Sequence, residues 1–239
     1  MKSISIPYQD DDLLAVNKPA NLIVFPEGNI KGKTLIEYLL DEFPDLKNCG
    51  EPPRYGIIHR LDKDTSGIAL VAKTNQALNF LQKQFKTREV VKTYIALISG
   101  QLKEDSGKIE ELIGRNKDGV KQMVYPKSSP LSQKIGARKS VTYWKVLKRF
   151  KEFTLIACRP KTGRKHQLRA QFAYLNHPVA GDKLYSFKNQ TIPIGLTRHF
   201  LHAYKLKIKC PDGETRIFTA PLPEELKIVI QNLKQYETN

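Results

Sequence analysis

Residues 59–67 read His59-Arg60-Leu61-Asp62-Lys63-Asp64-Thr65-Ser66-Gly67. The runs on either side, residues 55–58 and 68–72, are apolar and typical of buried strands, so this stretch is predicted to be a loop between rigid elements. Asp64 and Gly67 fit the first and last positions of a type I turn, where a short acceptor and a permissive backbone are favoured. That turn gives Asp64 a structural part and leaves Asp62 as the carboxylate for chemistry. A solvated or capping carboxylate is the alternative for Asp62.

The composition favours a globular protein with an anionic partner. The 239 residues suit one large domain or two small ones. No linker rich in Pro, Gly or Ser divides the chain, so we predict a single domain over residues 1–239. Lys and Arg number 40 against 24 Asp and Glu, a formal net charge of +16, which points to nucleic acid or an acidic membrane. No apolar run reaches the roughly 20 residues of a membrane span, and the N-terminal residues lack a signal-peptide core. We therefore expect a cytoplasmic protein with no membrane partner.

No pattern in the sequence indicates a metal or a cofactor. Cys49, Cys158 and Cys210 lie far apart and have neither zinc-site spacing nor a disulfide framework, so we expect buried or idle thiols. The spacing of His199 and His202 is not that of a helical two-histidine site. A glycine-rich phosphate loop and a dinucleotide fingerprint are both absent from the sequence. The chemistry is therefore expected to depend on side chains alone.

Periodicity and turn residues indicate an α+β fold. Helices are predicted over residues 34–43, 75–87 and 166–175 and from Pro223 onward. Strands are predicted over residues 92–99, 140–147, 153–158, 204–209 and 216–219, the last two joined as a hairpin. Residues 107–138 are polar and weakly periodic, which predicts loops and short strands. Strands outnumber helices and many connections look like hairpins, so a mixed, mostly antiparallel sheet is expected.

Residues 59–67 also resemble the signature of the RluA-type pseudouridine synthases, RNA-modifying enzymes marked by Arg-Leu-Asp followed two residues later by Thr-Ser-Gly. Further segments resemble this family in order along the chain. Residues 10–20 are similar to its opening segment, residues 91–96 to its tyrosine motif and residues 162–169 to its arginine motif. Residues 177–185, 201–203 and 220–223 resemble its C-terminal landmarks. The resemblance covers nearly all of the chain.

The resemblance implies a fold, a reaction and a substrate. The family fold is a long mixed sheet with a central catalytic cleft and flanking helices. The reaction isomerises uridine in ribosomal or transfer RNA to pseudouridine, without a cofactor, on a nucleotide flipped out of the RNA. The landmarks begin within the first dozen residues, so we expect no separate N-terminal RNA-binding module. We also expect a monomer.

The resemblance assigns catalytic roles to three residues. Asp62 is the catalytic carboxylate, which attacks or deprotonates the ribosyl unit or adds to the uracil ring. Arg169 pairs with it, because a nearby guanidinium keeps a shielded carboxylate ionised. Tyr94 stacks beside the uracil and takes part in late proton transfer. Leu168 packs near the uracil. An exposed helical Arg169 and a half-buried packing Tyr94 are the alternatives.

Other residues are candidates for RNA contact. Arg60 replaces the extruded base, and His59 either contacts phosphate or fills a strand end. A basic turn of three residues either meets backbone phosphates or is solvated: Arg164, Lys165 and His166. Phe25 stands where many family members have His, which removes an RNA contact expected there.

Two other classes of protein are alternatives. One is a non-catalytic RNA-binding or ribosome-assembly factor on the same scaffold, against which an intact set of Asp62, Tyr94 and Arg169 argues, since a binding module has no use for a carboxylate facing a polyanion. The other is a cofactor-dependent RNA methyltransferase, against which the missing glycine-rich loop argues.

Overall fold

The computed structural model describes residues 4–27, 32–116, 119, 121–130 and 135–235. The chain divides into two compact units. The first consists of Met1–Lys92 and His202–Pro221, and the second of Thr93–Leu201 and Leu222–Asn239. Each unit contains strands and helices of its own.

The elements follow one another along the chain as strands with interspersed helices. The strands are β1 (Ser5–Gln9), β2 (Leu13–Lys18), β3 (Ser66–Ala72), β4 (Val91–Ser99), β5 (Ser106–Arg115), β6 (Gln122–Tyr125), β7 (Arg138–Arg149), β8 (Phe153–Pro160), β9 (Leu201–Lys209) and β10 (Thr215–Thr219). The helices are α1 (Leu35–Glu42), α2 (Asn75–Thr87), α3 (Gln167–Tyr174) and α4 (Glu224–Gln235), with a 3-10 helix at Pro44–Asn48.

The first unit has the strand order β1-β2-β3-β9-β10. The β3 and β9 strands are parallel, and the other neighbours are antiparallel. Helix α2 buries Ala77 and Leu81 against Leu70 of β3 and Leu206 of β9. Thr74 caps α2 by accepting a hydrogen bond from the Ala77 amide at 3.1 Å.

The second unit has the antiparallel strand order β4-β8-β7-β5-β6. Different helices pack against its two faces. On one face, Leu168 and Phe172 of α3 pack with Trp144 of β7 and Ile156 of β8. On the other, Leu226 and Val229 of α4 pack with Leu97 of β4 and with its partly buried neighbours Ile95 and Leu155. Helix α3, which carries the predicted arginine motif, therefore belongs to one face of this sheet.

The predicted α+β class with mostly antiparallel strands is confirmed. Helix α1 begins with the predicted capping box, in which the Glu37 carboxylate accepts hydrogen bonds from the Thr34 amide and hydroxyl, each at 2.7 Å. The three cysteines are buried, as expected. None of the helices in the described ranges has the length and apolar character that a membrane crossing requires.

The prediction of loops and short strands for residues 107–138 was wrong for residues 107–115, which belong to a long strand. Strand β5 is 10 residues long and pairs with β7 along Ser106 to Ile113. The strand was missed because its exposed face is polar and only Ile109 and Ile113 are deeply buried apolar anchors. Residues 117, 118, 120 and 131–134 of this segment lie outside the described residues.

The elements around residues 59–67 also differ from the expectation. Residues 55–58 form a turn with one isolated bridge, Ile57 to Val71, instead of a strand. The turn closes between Asp62 and Thr65, and Gly67 already belongs to β3. Gly67 has φ +120°, and a Cβ there would lie 2.2 Å from the carbonyl oxygen of Ala203 in β9. Glycine is needed at this position because two backbones approach closely, rather than to end a turn.

Candidate active site

Asp62 opens the turn that leads into β3. Its carbonyl oxygen accepts a hydrogen bond from the Thr65 amide at 3.1 Å, and its side chain is half-buried. Lys63, the next residue, is exposed. The backbone at Asp62 is therefore fixed by the turn, while its carboxylate lies at the boundary between the protein interior and solvent.

Lys18 anchors this turn from beneath. Its side chain is fully buried, and its ammonium donates hydrogen bonds to the carbonyl oxygens of Pro19 and Leu22, each at 2.8 Å, and of Lys63 at 3.0 Å. The Leu22 amide donates to the same Lys63 carbonyl at 3.2 Å. A buried cation needs such partners, because its desolvation is costly. The residue that follows Asp62 is thus tied to the end of β2.

The far side of the turn is tied to β9 through a buried histidine. Ser66 Oγ lies 2.9 Å from His202 Nδ1, and His202 Nε2 lies 2.9 Å from the carbonyl oxygen of Ala220. A carbonyl can only accept, so His202 Nε2 carries a proton and donates it to the Ala220 carbonyl, while Nδ1 and the Ser66 hydroxyl share the second hydrogen bond.

His59 packs inside the first unit. Its ring stacks on Phe85 with centroids 4.7 Å apart, and its Nε2 accepts a hydrogen bond from the Leu70 amide at 3.1 Å. Burial, with the charge of Lys92 nearby, lowers the pKa of His59 from 6.5 to about 3. A ring that stays neutral at physiological pH offers phosphate no charge, so the contacts favour the packing alternative for His59.

Arg60 is exposed and belongs to a group built around the buried ring of Phe25. Its guanidinium lies 5.2 Å from the Phe25 ring centroid and pairs with the Glu27 carboxylate. Arg54 lies 4.6 Å from the centroid of the same ring. Phe25 therefore supplies a ring that attracts two guanidinium groups.

Arg169 is held on α3 by a buried carboxylate. Its Nε and Nη2 donate to Asp182 Oδ2 and Oδ1 at 2.6 and 2.9 Å, the two-pronged geometry that a guanidinium favours. The Asp182 Oδ1 atom also accepts from the amides of Leu184 and Tyr185 at 2.9 and 3.1 Å. The Arg169 guanidinium lies 5.2 Å from the Tyr185 ring centroid. Its plane is therefore set by a carboxylate on one edge and an aromatic ring nearby.

The charge state of Asp182 follows from these contacts. Burial alone would raise the pKa of Asp182, but the hydrogen bonds and charge of Arg169 outweigh burial and lower it below its usual value. Asp182 is therefore ionised at neutral pH, and it neutralises part of the charge of Arg169.

Helix α3 is fastened to β7 by two buried amides. Gln167 Nε2 donates to the Val141 carbonyl at 3.2 Å and to Thr142 Oγ1 at 2.9 Å. Thr142 Oγ1 donates in turn to Gln171 Oε1 at 2.6 Å, and Gln171 Nε2 donates to Ser140 Oγ at 3.1 Å. These bonds fix the rotation of the helix that carries Arg169.

Tyr94 and Leu168 meet in the core of the second unit. Tyr94 pairs with Cys158 in the register of β4 and β8, and its partly buried ring packs with the cluster that contains Leu168. Leu168 is 5% exposed. Tyr94 thus has the packing role that its alternative described, and Leu168 packs in the same cluster. The predicted contacts of both residues with uracil stay predictions.

The basic turn before α3 has structural contacts of its own. Arg164 Nε donates to the Lys139 carbonyl at 3.1 Å, and Lys165 is exposed. His166 has φ +53°, and its Nδ1 lies 3.1 Å from the Tyr185 hydroxyl, which also accepts from the Gln122 amide at 2.8 Å. His166 therefore supports the ring beside Arg169.

The candidate residues fall into two groups. Asp62, His59 and Arg60 belong to the first unit, and the second holds the remaining six: Tyr94, Arg164, Lys165, His166, Leu168 and Arg169. The predicted pairing of Asp62 with Arg169 and the predicted central cleft would join the units, and both stay predictions. Sequence reasoning missed the role of Lys18 in holding the Asp62 turn and the roles of Asp182 and Tyr185 beside Arg169. Lys18, Asp182 and Tyr185 nevertheless lie in segments that resemble family motifs.

Comparisons with known proteins identify related sequences. A family model described as RNA pseudouridylate synthase matches residues 12–174. A ribosomal large subunit pseudouridine synthase D from Neisseria meningitidis is 40% identical over 244 residues, which cover 97% of this chain and 62% of that protein. An uncharacterized RNA pseudouridine synthase from Bacillus subtilis is 37% identical over 234 residues, which cover 97% and 73%.

Solved structures extend the similarity to the fold. The human RNA pseudouridylate synthase domain containing 1 protein has a TM-score of 0.75 at 27% identity, over 98% of this chain and 95% of that one. The human domain containing 4 protein also has a TM-score of 0.75, at 26% identity over 96% and 93%. The chain belongs to the RNA pseudouridylate synthase family, whose members are isomerases that act on RNA. The predicted pseudouridine synthase fold is thereby confirmed.

Proposed function

We propose that this protein isomerises selected uridines of RNA to pseudouridine, with the Asp62 carboxylate as the catalytic group. The reaction breaks the bond between ribose C1′ and uracil N1 and forms one between C1′ and C5 of the same base. The proton that leaves C5 is balanced by the one that N1 gains, so no oxidant, reductant or water is consumed. A carboxylate that attacks the sugar, deprotonates it or adds to the base suffices.

The anchoring of the Asp62 turn carries this proposal. The Lys63 carbonyl is bound by the buried ammonium of Lys18 at 3.0 Å, and the Asp62 carbonyl by the Thr65 amide at 3.1 Å. A turn that only led the chain into β3 would not require a desolvated lysine beside it. Catalysis does require a carboxylate held in one position, because misplacement of the reacting group by about 1 Å costs roughly a hundredfold in rate.

The remaining candidates support Asp62. We assign Arg169, oriented by Asp182, to keep the shielded carboxylate ionised. We assign Tyr94 and Leu168 to the uracil, and Arg60 to the gap that the flipped nucleotide leaves. Flipping costs a few kcal/mol, which contacts of this kind offset.

We propose ribosomal or transfer RNA as the substrate, bound by a monomer that acts in the cytoplasm through a single catalytic domain spanning residues 1–239. The Neisseria relative is named for the large ribosomal subunit, so ribosomal RNA of that subunit is the first to test. The excess of cationic residues suits any such RNA.

The test maps pseudouridines in total RNA from cells that lack the gene and carry either the parent, Asp62→Asn or Asp64→Asn. We expect the parent and Asp64→Asn to restore the missing pseudouridine and Asp62→Asn to restore none. Purified Asp62→Asn should be slower by more than about a hundredfold, the scale of a lost covalent or acid–base group. Asp64→Asn is the matched control, since it makes the same change in the same loop.

Two outcomes have distinct meanings. Restoration by Asp62→Asn would remove Asp62 from catalysis. An unchanged pseudouridine map in the deletion strain, together with tight RNA binding by the purified protein, would favour the non-catalytic assembly factor.

A further inference from the structure

The sheet of the second unit has an exposed row of cations around a tyrosine. In the register of β5, β7 and β8, Lys108 pairs with Tyr143 and Tyr143 pairs with Arg159. Directly paired residues point to the same face of a sheet, with Cβ atoms about 5 Å apart. The Tyr143 side chain is thus bordered by a cation on each side, and Lys145, two residues along β7, points to the same face. Tyr143 is 43% exposed, so its ring is accessible to solvent.

More positive charge lies beside this row. The Glu110 carboxylate, also on this face, contacts the ammonium groups of Lys108, Lys139 and Lys127, the last two at 2.8 and 2.9 Å. Hydrogen bonds from Lys108, Lys139 and Lys127 lower the pKa of Glu110, so the carboxylate is ionised. The single negative charge of Glu110 nevertheless neutralises only one of these three ammonium groups. We call the set Lys108, Lys127, Lys139, Tyr143, Lys145 and Arg159 the outer basic face.

The outer basic face lies on the side of its sheet away from the candidate residues of the second unit. Trp144 and Cys158, which alternate with Tyr143 and Arg159 along β7 and β8, point the other way and pack with Leu168 of α3. Arg169 and Tyr94 belong to that inner side. A strand of RNA bound to the outer basic face would therefore not be the segment that presents its uridine to the site.

We propose that the outer basic face binds a single-stranded segment of the substrate RNA, outside the segment that contains the target uridine. A base stacks on Tyr143, and the flanking phosphates pair with Lys145, Arg159 and Lys108. The proposal rests on the RNA substrate of the proposed function and adds a second contact area to it.

Charge and geometry favour this occupant over others. Lys145 is the diagonal neighbour of both Lys108 and Arg159, about 7–8 Å away. These cations repel one another, and a polyanion relieves that repulsion while releasing its counterions. An acidic protein surface would match the charge, but it would not need an exposed aromatic ring between the cations. Single-stranded RNA uses both features, since bases stack on aromatic side chains at about 1–3 kcal/mol each and the backbone follows the positive charge.

The test measures binding of a fluorescent oligoadenylate about 12 nucleotides long by anisotropy. This probe contains no uridine, so binding is independent of catalysis. We expect Lys145→Glu with Arg159→Glu to weaken binding at least about tenfold and to reduce the slope of log affinity against log salt by about 1.4, from two lost phosphate contacts. Tyr143→Ala should also weaken binding, and Tyr143→Phe should retain it because the ring is kept.

The matched control is Lys83→Glu with Lys86→Glu, which changes the net charge equally at exposed positions of α2. It should bind the probe like the parent. Lys145→Gln with Arg159→Gln serves as a milder second variant, and circular dichroism checks that each protein is folded. An unchanged dissociation constant in the face variants, an equal loss in the control, or full binding by Tyr143→Ala would overturn the proposal. Asp62→Asn should bind the probe normally, so failure of the catalytic assignment and failure of this one are separable.

Discussion

The pairs Arg169–Asp182 and Arg216–Asp212 have the same chemistry and different surroundings. Arg169 and Asp182 have side-chain exposures of 9% and 0%, whereas those of Arg216 and Asp212 are 29% and 44%. Water screens the second pair and is excluded from the first. Removing one partner of a buried pair leaves an uncompensated charge, which costs much more than the loss of a surface pair.

Asp182→Asn is therefore expected to lower the free energy of unfolding by about 3 kcal/mol, and Asp212→Asn by less than about 1 kcal/mol. Urea unfolding of the two variants checks this difference. The rate of pseudouridine formation should fall about tenfold or more in Asp182→Asn, because Arg169 loses the group that sets its plane. Equal stability losses in the two variants would show that burial does not distinguish the pairs.

His59 makes stability depend on pH. Its folded pKa of about 3 lies below the ordinary 6.5. Below pH 6.5 the His59 ring becomes protonated in the unfolded chain but stays neutral in the folded protein. The stability that neutral His59 contributes is therefore fully present above pH 6.5 and is lost as the pH falls toward 3. Between pH 7 and pH 5, the free energy of unfolding of the parent should fall by roughly 2 kcal/mol more than that of His59→Gln. Denaturant curves at the two pH values provide the measurement, and parallel pH profiles would contradict it.

At the scale of elements, the Asp62 turn depends on residues far from it in sequence. The Lys18 ammonium joins the end of β2 to the Lys63 carbonyl, 45 residues away. The loop therefore behaves as part of the sheet and not as a free connection. The buried contacts of Lys18 hold the backbone of the turn in place, while the side chain of Lys63 is exposed to solvent.

Lys18→Met should break this connection while preserving the length of the side chain. Three carbonyl oxygens would lose the ammonium, and the Lys63 carbonyl would keep the Leu22 amide as donor, at a cost of about 3 kcal/mol or more in unfolding free energy. The turnover number should fall more than the Michaelis constant rises, because a misplaced Asp62 impairs the reaction step. Lys63→Met is the control for stability and should lie within about 0.5 kcal/mol of the parent, as surface substitutions usually do. Slow hydrogen exchange of the Thr65 amide in Lys18→Met would count against the anchoring role.

Local patterns predicted some elements better than others. Helices α1 and α2 were predictable because Thr34 and Glu37 form a capping box and because Leu78 and Leu81 repeat with helical spacing. The Asp62 turn was misplaced by two residues, since Gly67 satisfies the turn pattern while its real constraint is the Ala203 backbone. The hydrogen bonds of the Lys18 ammonium could not be predicted from a side-chain pattern, because the three acceptors described above are backbone carbonyls.

The candidate site was predictable to a similar extent. The motif match singled out Asp62, Tyr94 and Arg169, but periodicity alone would have left Tyr94 and Arg169 as a packing residue and a surface residue. The bond from Asp182 to Arg169 could not be read from the sequence, since the two residues are 13 positions apart across the end of α3. For His59, the buried environment that keeps the ring neutral depends on Phe85 of α2.

At the scale of the whole molecule, we expect the formal net charge of +16 to dominate the interaction with RNA. Affinity for RNA should fall steeply as salt rises, with a slope of about −0.7 to −0.9 per phosphate contact. EDTA should leave the activity unchanged, since the proposed reaction uses side chains alone. Binding titrations from about 50 to 200 mM salt, with activity measured with and without chelator, check both statements. A dissociation constant indifferent to salt, or activity lost with EDTA and restored by a metal, would contradict them.

The fastening of α3 by Gln167 and Gln171 has a different dependence on solution conditions. Both residues are uncharged, and their bonds to β7 are buried. A higher ionic strength is therefore expected to lower the affinity for RNA without weakening the bonds that attach α3, which carries Arg169, to β7. A high-salt wash should release modified RNA from an enzyme that is ready for another cycle as soon as the salt is diluted, with no refolding step in between.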